Sequence, residues 1–332
     1  MKHAPHLVNL ILASLLLGGC SRADSGHDDG TTTGSSDSLT QTYVDDLERT
    51  VRVPREVERI VSLAPACTET LFAVGAGEKV VGVTSFSNFP PEALSVTQVG
   101  GLTRETVSLE RILQLRPDVV FAAGTLQYEL IQDLTQLGLA VIAFEPHDID
   151  GIVANLRLAG EITGCSDQAT EVISDLQRQV EEVVRRVDSI PDEERPAVFY
   201  EVWHRPLRTA SAASYLGQLV HIAGGRNLFH DLSEPYPLVS EEAVVQRNPE
   251  VILAPLTPAS DLDEFLRRPG WRNITAVREK QIHFLDEDLV SRPGPRVAQG
   301  LWAIGAAIHP DRFSDSAPAK NQSPVNVEGS DP

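Results

Sequence analysis

Short runs of consecutive apolar residues alternate along the chain with longer stretches in which apolar positions recur every three or four residues. The runs at 60–63, 80–83, 119–122 and 141–144, and then at 198–202, 251–254 and 282–285, predict buried strands. Helical spacing fills the intervals, and strand alternating with helix indicates an α/β fold. The longest amphipathic stretch lies at the midpoint of the chain. There Ala169, Val172, Ile173, Leu176, Val180, Val183, Val184 and Val187 share one helical face between residues 167 and 188, with no Gly or Pro inside. At 1.5 Å per residue such a helix is about 33 Å long. Ending before Pro191, it is expected to join two lobes as a linking helix over 167–190.

The two lobes are also written into an internal repeat. Residues 107–122 align without a gap on residues 239–254, and Val, Ser, Glu, Gln, Pro, Val and Ala coincide at a constant separation of 132. Each copy has a Ser suited to capping a helix, a short helix, a Pro that stops it, an acidic residue and a buried strand. Two accounts of the shared glutamates, Glu110 and Glu242, stand side by side. A carboxylate in a first helical turn is favoured by the helix dipole, by about 0.3–1 kcal/mol. Alternatively, equivalent positions on two lobes supply two acidic knobs for a partner with two equivalent basic sockets.

The ends of the chain change the picture from a domain to a delivered and tethered one. An apolar run from Leu7 to Leu17, broken only by Asn9 and Ser14, follows Lys2. It is too short to cross a bilayer core of roughly 30 Å as a helix and reads as a secretory signal over residues 1–19. Leu17-Gly18-Gly19-Cys20 resembles a lipobox, which makes Cys20 the expected site of lipidation and a membrane anchor. A Ser-, Asp-, Gly- and Thr-rich stretch then reads as a flexible tether over 20–42, and residues 314–332 as a disordered tail. Between them the N-terminal lobe is assigned to 43–166 and the C-terminal lobe to 191–313, since about 270 residues exceed what one core usually spans. The net charge of −19 argues against nucleic acid as a partner. Cys67 and Cys165 are expected to stay unpaired.

Several motifs in order then resemble one family. Residues 60–75 (IVSLAPACTETLFAVG), 81–91 (VGVTSFSNFPP), Ser108 to Ile112 with Pro117-Asp118, Gly224-Gly225-Arg226-Asn227, and 291–296 (SRPGPR) are similar to the helical-backbone, class III substrate-binding proteins of ABC importers. The resemblance covers roughly residues 59–313 and implies two Rossmann-like lobes joined by one long backbone helix. It further implies a monomer with no catalytic residues, no metal and no cofactor, working with a permease dimer and its ATPase subunits at the periplasmic or extracellular face. Residues 86–91 and the Gly-Gly-Arg-Asn segment are most similar to the cobalamin-binding branch, so the implied ligand is cobalamin or a related corrinoid. Ferric-siderophore and haem binders of the same fold are the alternative. Carried over by position, the resemblance implies ligand contact at Pro65, Phe86 and the loop that holds Asp288 and Arg292, with permease docking by Glu110 and Glu242; Tyr200 and Trp203 suit the aromatic part of such a ligand surface. Trp203 falls beyond the end of its strand and is expected at a cleft edge. One departure from that branch is Ala123-Gly124, where a Trp would offer a stacking surface.

Two rival chemistries remain at this level. Of the nine histidines, the six at His147, His204, His221, His230, His283 and His309 are scattered and suit a metal receptor only if the fold gathers them, since none forms an i, i+4 pair on a helix. Cys67 begins a helix, where the dipole lowers a thiol pKa, but no base or oxyanion site is evident beside it.

Overall fold

The computed structural model describes residues 39–256 and 262–314. The signal segment, Cys20, the tether as far as residue 38 and the tail from residue 315 lie outside the described residues. Strand β1 (Thr40–Val44) pairs antiparallel with β2 (Thr50–Pro54), so the tether assigned to 20–42 overlaps regular structure from Thr40 onward. Asp45 explains the early start. Its buried carboxylate accepts the Leu47 and Arg49 amides of the turn and the Ala143 amide of the first sheet. A hairpin nailed to a sheet in this way is ordered whatever the polarity of its strands.

The first lobe holds four parallel strands, β3 (Ile60–Ser62), β4 (Val80–Val83), β5 (Val119–Ala123) and β6 (Val141–Phe144), in the order β4-β3-β5-β6. Helices α1 (Pro65–Ala73), α2 (Leu109–Leu115), α3 (Tyr128–Gln136) and α4 (Ile149–Thr163) make the connections that parallel pairing requires. Burial of both sheet faces accounts for the continuous apolar runs in the sequence.

Helix α5 (Ser166–Val187) follows, close to the predicted bounds. Its first turns meet the first lobe, where Ala169 packs against Gly160 of α4 and Gln168 against Gly75. In its last turns the Arg186 guanidinium lies 4.4 Å from the centre of the Trp302 ring. Val184, counted on the apolar face by its spacing, is exposed.

The second sheet runs β11 (Ile282–Asp286), β10 (Val251–Leu256), β7 (Ala197–Trp203), β8 (Arg208–Thr209), and β9 (Arg226–Asn227) pairs with the start of β7. All its pairs are parallel except β7 with β8. Helices α6 (Tyr215–Ile222), α7 (Glu241–Arg247), α8 (Leu262–Arg267), α9 (Thr275–Arg278), α10 (Glu287–Val290) and α11 (Val297–Ile308) complete the lobe. Among the described residues, no helix is long and apolar enough to cross a membrane.

Candidate ligand-binding cleft

In open parallel sheets the carboxyl ends of the strands, near the point where strand order reverses, form the natural crevice. The two lobes turn these ends toward each other. Ala66, just after β3, approaches Gly294 of the second lobe; the His147 carbonyl, after β6, accepts from Gln218 of α6; and Asn88, after β4, meets Asp288, after β11. The same edges collect side chains that a water-soluble lobe would ordinarily cover. Phe86 (54 % exposed) and Trp203 (62 % exposed) stand there, with Leu126, Tyr128, Leu238 and Leu256. Other exposed apolar side chains, Leu94, Leu137 and Val184 among them, are scattered, but these six at facing strand ends offer a surface that a ligand can cover.

Between the lobes lies an ionic clasp. Glu69, on α1 with its side chain 1 % exposed, accepts from Arg292 Nη1 at 3.0 Å and from Arg296 Nε and Nη2 at 2.8 and 2.6 Å. Arg292 also pairs with Asp288 Oδ1 at 2.6 Å and donates to Asn88 Oδ1 at 2.7 Å. Asn88 in turn donates to Asp288 Oδ2 at 2.9 Å, and the Arg296 guanidinium sits 4.1 Å from the Phe89 ring centre. A carboxylate this deeply buried persists only because two guanidiniums compensate it.

The residues implied by the resemblance divide accordingly. Pro65 occupies the first turn of α1, where its missing N–H costs nothing, directly beyond β3. Phe86 and Trp203 are at the cleft edge, the latter with its indole N–H held by the Arg205 carbonyl at 2.9 Å. Asp288 and Arg292 form an ion pair within the second lobe, and each reaches across to the first, Asp288 to Asn88 and Arg292 to Glu69 and Asn88. Tyr200 departs from expectation: only 2 % exposed, it belongs to the core, because its place in β7 points it inward under α6 and α11 rather than out of the strand end. Among the described residues its hydroxyl and that of Tyr215 have no hydrogen-bond partner, and burial, reinforced by Glu287 for Tyr200, pushes both phenols well above their ordinary range. Glu110 and Glu242 sit exposed in the first turns of α2 and α7.

Sequence reasoning missed Glu69, Asn88 and Arg296, and also Leu126 and Tyr128, which stand where the departure at Ala123-Gly124 left a gap. Gln127 fixes their turn: its buried amide donates to the Leu63 and Leu102 carbonyls and accepts from the Ala123 N–H. Glu145 adds bonds to the Thr125 amide and hydroxyl. Glu69 and Arg296 lay inside quoted motifs, and only their pairing was hidden.

The residues behind the two rival chemistries are otherwise engaged. His204 is engaged at each ring nitrogen, by Arg268 at 2.8 Å and by Glu264 at 2.6 Å, and among the described residues no three potential metal ligands converge. Cys67 is buried, and desolvation pushes its thiol up to about 12, opposite to the expected effect of the helix start. Cys67 and Cys165 are both free thiols. A cavity of about 530 Å³ lies along α6 between Arg195 and His230, lined in part by Gln218, and none of the implied ligand residues lines it. It borders the amino-terminal end of β7.

The model of a family described as periplasmic binding protein matches residues 60–289. The chain belongs to the periplasmic binding protein family. Among relatives of this periplasmic binding protein, an uncharacterised ABC transporter substrate-binding lipoprotein of Bacillus subtilis, YvrC, is 27 % identical over 319 residues, covering 95 % of this chain and 99 % of its own. The vitamin B12-binding protein of Pectobacterium carotovorum is 32 % identical over 264 residues, 77 % of this chain and 91 % of its own. The periplasmic haem-binding protein RhuT of Roseiflexus superposes with a TM-score of 0.68 at 26 % identity, over 77 % of this chain and 99 % of its own. The α/β architecture with parallel sheets is thus the one its relatives share.

Proposed function

We propose that this periplasmic binding protein is the extracytoplasmic substrate-binding component of an ABC importer, that it carries cobalamin or a related corrinoid between its lobes, and that it catalyses nothing. One observation carries the reading: the facing strand ends present exposed apolar and aromatic side chains, while every guanidinium of the clasp is already matched by a carboxylate. A corrin ring edged with uncharged amides suits such a surface. Burying one large apolar side chain of the kind found here is worth about 1.5–3 kcal/mol, so Phe86, Trp203, Leu126 and Tyr128 together supply affinity without any fixed charge. Asp288 and Arg292 set orientation. Cys20 carries the lipid anchor, and Glu110 and Glu242 meet arginines of a permease dimer, one per lobe.

A haem or ferric-siderophore cargo is the second reading, favoured by the likeness to a haem-binding protein of the same fold. It is disfavoured by charge, because haem brings two carboxylates and the clasp has no uncompensated cation to receive them. The absorption and mass spectra of ligand co-purified from cell extract separate corrin, haem and ferric catecholate directly. Titration with cyanocobalamin is expected to saturate at micromolar concentration or below. No binding at micromolar levels would turn the assignment to the second reading.

A further inference from the structure

We infer that Glu69 determines the specificity of the cleft: by compensating Arg292 and Arg296 it makes the floor between the lobes unfavourable to anionic ligands. The inference rests on the corrinoid reading for its choice of probes, though the charge argument is independent of it. Arg292 and Arg296 are 13 % and 12 % exposed, so each keeps an open edge between the lobes. Two guanidiniums at the base of a cleft would normally be an anion receptor, since their fork of N–H donors matches a carboxylate. Here that capacity is already used. Glu69 takes three of their hydrogen bonds, and Asp288 pairs with Arg292 besides.

An incoming carboxylate would have to displace Glu69, which is fully enclosed and would be left as an uncompensated buried charge. It meets repulsion from Asp288 besides. An uncharged amide faces no such obstacle, because it can bond at the open edges without breaking an ion pair. Glu69 therefore acts through the two arginines rather than by touching the ligand, and it is a positioning and charge-setting residue.

The test titrates wild type, Glu69→Gln and the double variant Glu69→Gln/Arg296→Gln with two probes, hemin and cyanocobalamin, and reads the ratio of their affinities. Glu69→Gln leaves one guanidinium without a countercharge, and the preference for hemin over cyanocobalamin is expected to rise about tenfold. Removing the freed cation in the double variant is expected to return the ratio toward wild type. Parallel weakening of both probes with an unchanged ratio, as loss of lobe packing alone would give, overturns the inference. If Glu69→Gln does not fold by circular dichroism, Asp288→Asn removes the more exposed countercharge and must move the ratio in the same direction; no movement overturns the inference equally. A wild type that binds hemin and not cyanocobalamin refutes the corrinoid reading, while the effect of Glu69→Gln on hemin affinity still decides the role of Glu69.

Discussion

The two copies of the repeat, 107–122 in the first lobe and 239–254 in the second, fold alike but are fastened differently. Ser108 and Ser240 cap their helices by accepting from the third residue onward, Arg111 and Ala243, and both helices end on a left-handed residue, Arg116 with φ 47° and Asn248 with φ 49°. In both, the acidic residue after the proline fastens the neighbouring parallel strand. Asp118 accepts the amides of Glu58 and Arg59 at 2.9 and 2.8 Å, and Glu250 accepts that of Ala197 at 2.7 Å. The copies diverge where tertiary partners differ. Asn248 bonds the Thr275 amide and hydroxyl through its side chain, and Arg247 pairs with Asp231, whereas Leu115 at the matching position carries no charge. What persists between the copies is the glutamate in the first turn and the acid after the proline. The second is explained by the strand it fastens. The first makes no comparable contact with a neighbouring strand, since among the described residues Glu110 accepts from Gln114 of its own helix alone, and that leaves it available to a partner.

The largest expected effect tests that availability. Reversing both charges, Glu110→Arg with Glu242→Arg, is expected to abolish uptake while ligand affinity stays unchanged; lost binding with normal uptake would break the symmetry argument. Next comes the strand fastening. Asp118→Ala removes two charge-assisted bonds and is expected to cost about 2 kcal/mol in chemical denaturation, against about 1 kcal/mol for the single bond lost in Glu250→Ala. Equal costs would mean that the two fastenings are equivalent despite their geometry. The helix ends should then respond with opposite signs. Arg116→Gly relieves a left-handed backbone and is expected to stabilise by a few tenths to about 1 kcal/mol, while Asn248→Gly loses the Thr275 bonds and is expected to destabilise by about 0.5–1 kcal/mol.

The smallest effect is read by pH. Hydrogen bonds from Arg247 hold the Asp231 carboxyl down at about 2. A carboxylate with a lower pKa in the folded state stabilises above its unfolded value, near ~3.9, and loses that contribution as pH falls toward its folded value. Stability should therefore decline between about pH 4 and about pH 2, and Arg247→Met should flatten that part of the profile. Its counterpart in the first lobe, Leu115, makes no such contribution.

Much of this fold was legible in the chain. Seven strands, the long helix, the capping serines and the repeat all follow from local periodicity and from residue types whose backbone preferences act over a few positions. Tyr200 shows where that reading stops, because an aromatic near a strand end can turn toward the core or toward the cleft, and only the docking of α6 and α11 decides. Leu126 and Tyr128 were hidden for a related reason: the turn that holds them outward depends on Gln127 reaching carbonyls 64 and 25 residues away.

By itself, then, the sequence determined the order of elements, the two-lobed plan and the pair of glutamates placed alike on both lobes, since each depends on contacts within one short segment or on direct comparison of two. Tertiary structure alone decided the charge of the cleft floor. Glu69 meets Arg292 and Arg296 across separations of 223 and 227 residues. Electrostatic compensation depends on distance in space, and no periodicity along a chain records which charges the closing of two lobes will bring within 3 Å of one another.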